Sequence, residues 1–372
     1  MIHSLHRPAC YADLRDTLRF QRRLLELIAD TTTVLPLTEP AMTAYFSAFG
    51  PNAGVWIANK PKTLCKDLEK AIKAAQRAKR RARTLLDDFD HDIQFDTKVT
   101  DTTFVFRFCN PTTPLEKAVK VLMNNLYKEV FGSNTGFNYG GTFGLTREEF
   151  VRAFVVANPH LEVCPVCDRS NDDANRHGTP SHTIDHFFPE AKFPFLSVHP
   201  ANFLPACSRC NSIFKGIKQP VLQSENLTDT YHPYNGVLPL SVMVNRNLQG
   251  TLVVVLKEQS SGKTTRVQNY IRIFDMESRW ERREKRILSW LCEHVTVKYR
   301  HLPKRTATLT PSDLDYLFTS LNNHLLAQQG KSENSFLKLA YLAYAGNQLD
   351  EKKKLIAAVV PNPNPPNVSI TR

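Results

Sequence analysis

Apolar positions recur along this chain with two periods, and each period names an element. In "YADLRDTLRFQRRLLELIAD", residues 11–30, Leu14, Leu18, Leu25 and Ile28 return near helical spacing, which places them on one face of an α-helix. "LTREEFVRAFVVANPH", 145–160, sets Thr146 three residues before Glu149 and ends on Asn158-Pro159. That is a helix start closed by a capping box and a helix stopped by proline. Between the two, "KPKTLCKDLEKAIKAAQRAKRRARTLLDD", 60–88, reads as one helix with Leu64, Leu68, Ile72, Ala75, Ala82 and Leu86 on its docking side. Its other side carries Lys66, Lys70, Lys73, Arg77 and then Arg80 or Arg81 at 4-3-4-3 spacing, a cationic ridge.

Further on the period changes to two. "LPLSVMVNRNLQGTLVVVLKEQ", 238–259, alternates as two strands joined near Asn247 to Gly250, a hairpin pattern. "SRWERREKRILSWLCEHV", 278–295, returns to helical period with Trp280, Ile287, Leu288 and Leu291 on one side. Helices are also expected from Thr310-Pro311, with Asp313 completing the cap, and around "FLKLAYLAYAG". The Gly-rich "FNYGGTFG", 137–144, lacks the lysine and hydroxyl of a phosphate cradle and reads as a turn. No internal repeat is visible. The pattern predicts an α+β chain: a mostly helical N-terminal region over 1–158, a distinct module over 159–220, a β-hairpin with helices over 221–350, and a Pro/Asn-rich tail over 351–372.

The module has its own chemistry. Cys164 and Cys167, then Cys207 and Cys210, form two Cys-x-x-Cys pairs. Each pair can point both sulfurs at one metal from a tight knuckle, and four thiolates complete the tetrahedron that structural zinc prefers. Cys10, Cys65, Cys109 and Cys292 have no such spacing. Between the knuckles, "SHTIDHFFPEAKFPFLSVHPANFLPACSRCN" places Asp185 beside His186 after an apolar residue. Such a run suits a strand end with its functional groups exposed, and neighbours on a strand diverge to opposite faces. Asn202 lies before the second knuckle and Asn211 directly after it, where a helix is expected to run through Lys215.

The order Cys-x-x-Cys, Asp-His-x-x-Pro, Asn-Phe-Leu-x-x-Cys-x-x-Cys-Asn-x-x-x-Lys resembles the HNH endonucleases of the ββα-metal type, over about residues 160–218. Here the motif letters are His186, Asn202 and Asn211, an HNN version. The resemblance implies an embedded, zinc-stapled ββα module that hydrolyses DNA phosphodiesters. His186 would be the general base, a role suited to an imidazole. Asp185 and Asn211 would hold one Mg²⁺ or Mn²⁺ on the scissile phosphate, and Asn202 would fix the base and its loop. Lys215 would meet a phosphate.

Charge then extends the picture. A net charge of +12 and a pI near 9.3 favour a polyanionic partner. The ridge at Lys66, Lys70, Lys73, Arg77, Arg80 and Arg81 would grip backbone phosphates without reading sequence. The flanks are larger than the module and imply a protein partner. The arrangement is similar to the HNH subunits of Septu-type anti-phage defence, which pair with an ATPase. No apolar run approaches the roughly 20 residues of a membrane span, and the N-terminus has no signal pattern, so a cytoplasmic protein that stays off the membrane is expected. Two other functions fit the same residues: a zinc-knuckle nucleic-acid-binding module without catalysis, and a nuclease directed at RNA.

Overall fold

Two compact units divide the chain: Met1–Val166 with Asn171–Leu238, and Cys167–Ser170 with Pro239–Arg372. The computed structural model describes residues 3–50, 52–59, 62–131, 146–170, 183–222, 226–235, 240–258, 264–300 and 309–359. The expected turn at 137–144 and the end of the expected tail lie outside these.

The first unit opens with α1 (Tyr11–Ala29), α2 (Glu39–Tyr45), α3 (Ala53–Asn59), α4 (Lys62–Arg77), α5 (Lys79–Asp92), α6 (Pro114–Phe131) and α7 (Arg147–Ala157). Its two strands follow, β1 (Thr183–His186) and β2 (Phe203–Ala206), paired antiparallel with His186 opposite Phe203 and Asp185 opposite Leu204. The predicted stripe of α1 is buried at Leu14, Leu18, Leu25 and Ile28. The capping box of α7 forms: Thr146 Oγ1 accepts from the Glu149 amide at 3.2 Å, and Glu149 Oε2 accepts from the Thr146 amide at 2.7 Å.

The basic helix expected over 60–88 is two helices. Ala78 leaves helical geometry at φ −118°, ψ 46°, although neither Gly nor Pro stands there. Tertiary packing accompanies the break: both helices lie against α1, and α4 alone also packs broadly on α6. Arg22 of α1 holds Asp90 of α5 through two hydrogen bonds of 2.8 and 2.9 Å. The break also changes phase: Leu64, Leu68, Ile72, Ala75 and Ala82 are buried as expected, but Leu85 takes the place expected of Leu86.

The segment expected as a module over 159–220 shares its core with the helices. Ile184 and Phe203 of its strands, with Phe195 and Val198 between them, belong to the same hydrophobic core as residues of α1, α4, α5 and α6. The strands are too short to bury a core of their own, so the helices supply the rest.

The second unit contains β3 (Leu240–Arg246) and β4 (Leu252–Glu258), an antiparallel hairpin turning through Asn247 to Gly250. Helices α8 (Thr265–Phe274), α9 (Met276–Glu281), α10 (Glu284–Arg300), α11 (Pro311–Ala327), α12 (Ser335–Gly346) and α13 (Leu349–Val359) follow. The helix expected over 278–295 is broken between α9 and α10, and α13 takes in 351–359, which the sequence pattern assigned to the tail. Arg246 ties hairpin to helices through Glu351 at 2.9 Å and Glu284 at 2.8 Å. Among the described residues the molecule is mostly helical with two small antiparallel sheets. Among the described residues, no helix is long and apolar enough to cross a membrane.

Candidate functional site

Cys164, Cys167, Cys207 and Cys210 come together with all four sulfurs within 4.8 Å of one another, and all four residues are buried. A tetrahedral ion bound at the usual zinc–sulfur distance of about 2.3 Å needs sulfurs that close. The Cys207 amide donates to Cys164 Sγ at 3.3 Å, an interaction that favours a thiolate. The ligand set and spacing are those of a structural zinc site.

This cluster sits at the foot of β2, which ends one residue before Cys207. The chain then enters a wide turn, Arg209–Lys215, closed by the Gly216 amide donating to Asn211 O at 2.8 Å. This is an i→i−5 bond, so the helix expected through Lys215 is of the π kind. Such single wide turns recur at functional sites. Two antiparallel strands and a helical turn therefore stand together, with Asp185 and His186 on β1, Asn202 directly before β2, and Asn211 and Lys215 in the turn.

Asn202 is fully buried and uses its whole amide. Its Oδ1 accepts from the Phe188 amide at 2.7 Å, and its Nδ2 donates to Phe188 O and Leu196 O, each at 3.0 Å. The loop from β1 to β2 is thus clamped at both ends. Replacing Asn202 by alanine takes the partner from the buried Phe188 amide and carbonyl, at about 1–3 kcal/mol each before relaxation, while Leu196 O keeps the His199 amide at 3.2 Å. The variant is expected to lose about 3 kcal/mol in denaturant unfolding, and a loss below about 1 kcal/mol counts against the clamp.

His186 projects from the end of β1, with 11% of its side chain exposed. Its Nε2 lies 2.8 Å from Ser197 O. A carbonyl only accepts, so Nε2 carries the proton and Nδ1 keeps the lone pair. The Tyr127 ring meets the imidazole edge-on at 4.3 Å and Phe203 approaches at 5.5 Å. Burial drives the His186 pKa down to about 4, and the charges of Lys215 and Arg147 add to that. The imidazole is neutral at physiological pH, the form able to take a proton.

Asp185 faces the other way, and its surroundings correct two expectations. It is only 4% exposed, where an exposed group was expected. Lys215, expected on a phosphate, is 2% exposed; its ammonium donates to Asp185 Oδ1 at 2.9 Å and to the His186 carbonyl. Burial raises the Asp185 carboxyl and lowers the Lys215 ammonium, and their mutual attraction opposes both. Asp185 Oδ2 is buried without a hydrogen-bond partner. Asn211 donates from Nδ2 to Thr183 Oγ1 at 3.0 Å, which leaves its amide oxygen as the atom able to ligate.

Four residues absent from the sequence reading complete the site. Tyr127 comes from α6, and Arg147 donates to its hydroxyl at 3.3 Å. Ser197 supplies the carbonyl that sets the tautomer. Glu190 brings Oε2 to 3.8 Å from His186 Nε2, and burial raises its pKa against the pull of Lys128 and Lys120. Glu190 and Ser197 were legible only as neighbours of His186, whereas Tyr127 needed the fold.

Away from this site, Lys66, Lys70, Lys73 and Arg77 are exposed along α4 opposite its buried face. Lys70 also meets Asp67 at 3.2 Å. Arg80 is exposed on α5, but Arg81 is drawn into pairs with Asp88 and Glu116. Of the expected ridge only Arg81 is thus drawn away, and at the break Arg77, Lys79, Arg80, Arg81 and Thr84 line a hollow of about 420 Å³.

No protein-family model matches the chain, and no solved structure matches it. Protein ea31 of Escherichia phage lambda is 36% identical over 73 residues, 20% of this chain and 21% of that protein. The chain thus matches about a fifth of that relative's length, an extent that shows no family.

Proposed function

We propose that the β1–β2 site is that of a metal-dependent HNH endonuclease that hydrolyses DNA phosphodiester bonds. The observation that carries this reading is the geometry of His186, with Nε2–H committed to Ser197 O and Nδ1 left as the acceptor. A base prepared in that way takes the proton of an attacking water at Nδ1. The imidazolium then formed keeps its Nε2–H on Ser197 O, with the Glu190 carboxyl nearby. Asn202 holds the loop that carries Ser197, so the tautomer and the ring orientation are fixed together.

The residues also fit a hard divalent ion. Asp185 Oδ2 is a buried carboxylate oxygen lacking a partner, and the Asn211 amide oxygen is chemically suited to join it. Mg²⁺ or Mn²⁺ there would neutralise charge on the scissile phosphate and the leaving oxygen. Zinc on the four cysteines would be structural, its shell closed by thiolates. In keeping with the resemblance to anti-phage HNH subunits, the reading extends to a cytoplasmic effector that works with a protein partner, an ATPase in those systems.

The test is cleavage of plasmid DNA and of a matched RNA by the purified protein with Mg²⁺ or Mn²⁺ and with a chelator. Metal-dependent nicking or linearisation of the plasmid supports the reading. Cleavage of RNA alone moves the substrate to RNA. Binding without cleavage, with the partner also present, leaves a binding module.

On this reading α4 grips the DNA backbone. Changing Lys66, Lys73 and Arg77 together to glutamine is expected to weaken binding to all sequences alike. The salt dependence should become shallower by roughly 0.9 in log–log slope for each phosphate that α4 no longer neutralises. A slope equal to that of the wild type removes α4 from the interface.

A further inference from the structure

We infer that Lys215 is a resident cation that exchanges with the divalent ion at Asp185, so that ion and ammonium are alternative partners of one buried carboxylate. The inference takes from the nuclease reading only the ion at Asp185. It stands on where Lys215 lies. Its side chain comes in from the end of the π turn, just before Gly216 at φ +48°, and reaches back under β1. There the ammonium spans two acceptors on consecutive residues, Asp185 Oδ1 and the His186 carbonyl. Both partners of the ion pair are almost fully buried.

A surface lysine would leave the carboxylate free to meet an arriving ion. This one has already neutralised it. Within a low-dielectric pocket an ammonium and a divalent ion on one carboxylate repel strongly, and a single neutralised carboxylate is a weak magnesium or manganese ligand. Asp185 Oδ2, buried and without a hydrogen-bond partner, is the carboxylate oxygen left for an incoming ion. Its full engagement requires the ammonium to withdraw from Oδ1, which the four-carbon stem of lysine allows. Arginine, being planar and longer, cannot withdraw in the same way.

The prediction is opposite to that for a lysine that merely supports the fold. Without the ammonium the carboxylate keeps its charge for the ion, and affinity rises. Zinc-loaded full-length protein at pH 8 would be titrated with Mn²⁺ in the absence of nucleic acid, and free Mn²⁺ followed by electron paramagnetic resonance. Lys215→Met is expected to bind Mn²⁺ at least about tenfold more tightly than the wild type. Adding Asp185→Asn to Lys215→Met should remove that gain. If Lys215→Met does not fold, Lys215→Gln carries the same comparison, since its amide still donates to the His186 carbonyl.

Equal or weaker Mn²⁺ binding by the lysine variants overturns the exchange. So does a gain that survives Asp185→Asn, or the absence of Mn²⁺ binding from every protein tested. None of these results depends on cleavage. A wild type that cuts DNA while its lysine variants bind Mn²⁺ no better keeps the nuclease reading and loses only this inference.

Discussion

Serine at Cys207 and Cys210 is expected to cost the chain its β1–β2 site and not merely its metal. Strand β2 ends at Ala206, and Cys210 lies inside the π turn that carries Asn211 and Lys215. The cluster fixes both ends of that connection, while Cys164 reaches it from about forty residues earlier in sequence and accepts the Cys207 amide. A structural zinc contributes on the order of 10–16 kcal/mol of binding free energy, comparable with the roughly 5–15 kcal/mol that holds a whole domain folded. Two strands of four residues each have little of their own to set against that loss. The double variant, or the wild type stripped by a strong chelator, should therefore lose its cooperative thermal transition or melt at least about 15 °C lower. Elemental analysis of the purified wild type should give about one zinc per chain. A zinc-free preparation that melts where the wild type does would sink the structural role.

What the sequence disclosed and what it withheld follow from how far each cause acts. Two Cys-x-x-Cys pairs declare themselves because each knuckle is four residues long and needs nothing from elsewhere. The capping boxes at Thr146 and Thr310 are equally local, and both form. Helix α6 was legible by the same signals: Thr113 Oγ1 accepts from the Glu116 amide at 3.2 Å, and Leu115, Val119, Leu122, Met123 and Leu126 line its buried face. Reading it would have brought Tyr127 within reach of the site, though not its meeting with His186. The break at Ala78 has no local mark, since alanine is the residue that best continues a helix. It goes with tertiary packing, since α4 and α5 share α1 but α4 alone also packs broadly on α6.

The site divides in the same way. That Asp185 and His186 diverge follows from strand alternation alone, and Asn202 does clamp the loop that carries Ser197. That Asp185 is buried depends on Lys215, thirty residues on in sequence, and only the folded π turn brings the two together. Spacing could place Lys215 beside the site, but it could not say which way the ammonium points. How the module joins its helical surroundings was hidden for a related reason. A short hairpin shows its inward residues as apolar without showing whose core they enter, and Ile184 and Phe203 enter the core of the N-terminal helices.

The other large effect falls on His186 itself. Alanine there removes the proton acceptor and leaves Ser197 O without its donor, so cleavage is expected to fall by about 10²–10⁴, the range attributed to general bases. Binding should persist, because the exposed cations of α4 lie elsewhere in the unit. The informative companion is His186→Gln. A glutamine amide can still donate to Ser197 O and fill much of the space beside Tyr127 and Phe203. It cannot take a proton at neutral pH. A purely architectural His186 would be rescued by glutamine, whereas a general base would not. Both variants should therefore be equally inactive while glutamine melts closer to the wild type. Plasmid cleavage by His186→Gln within about threefold of the wild-type rate, a difference of less than 1 kcal/mol in barrier, would take the proton-transfer role away from His186.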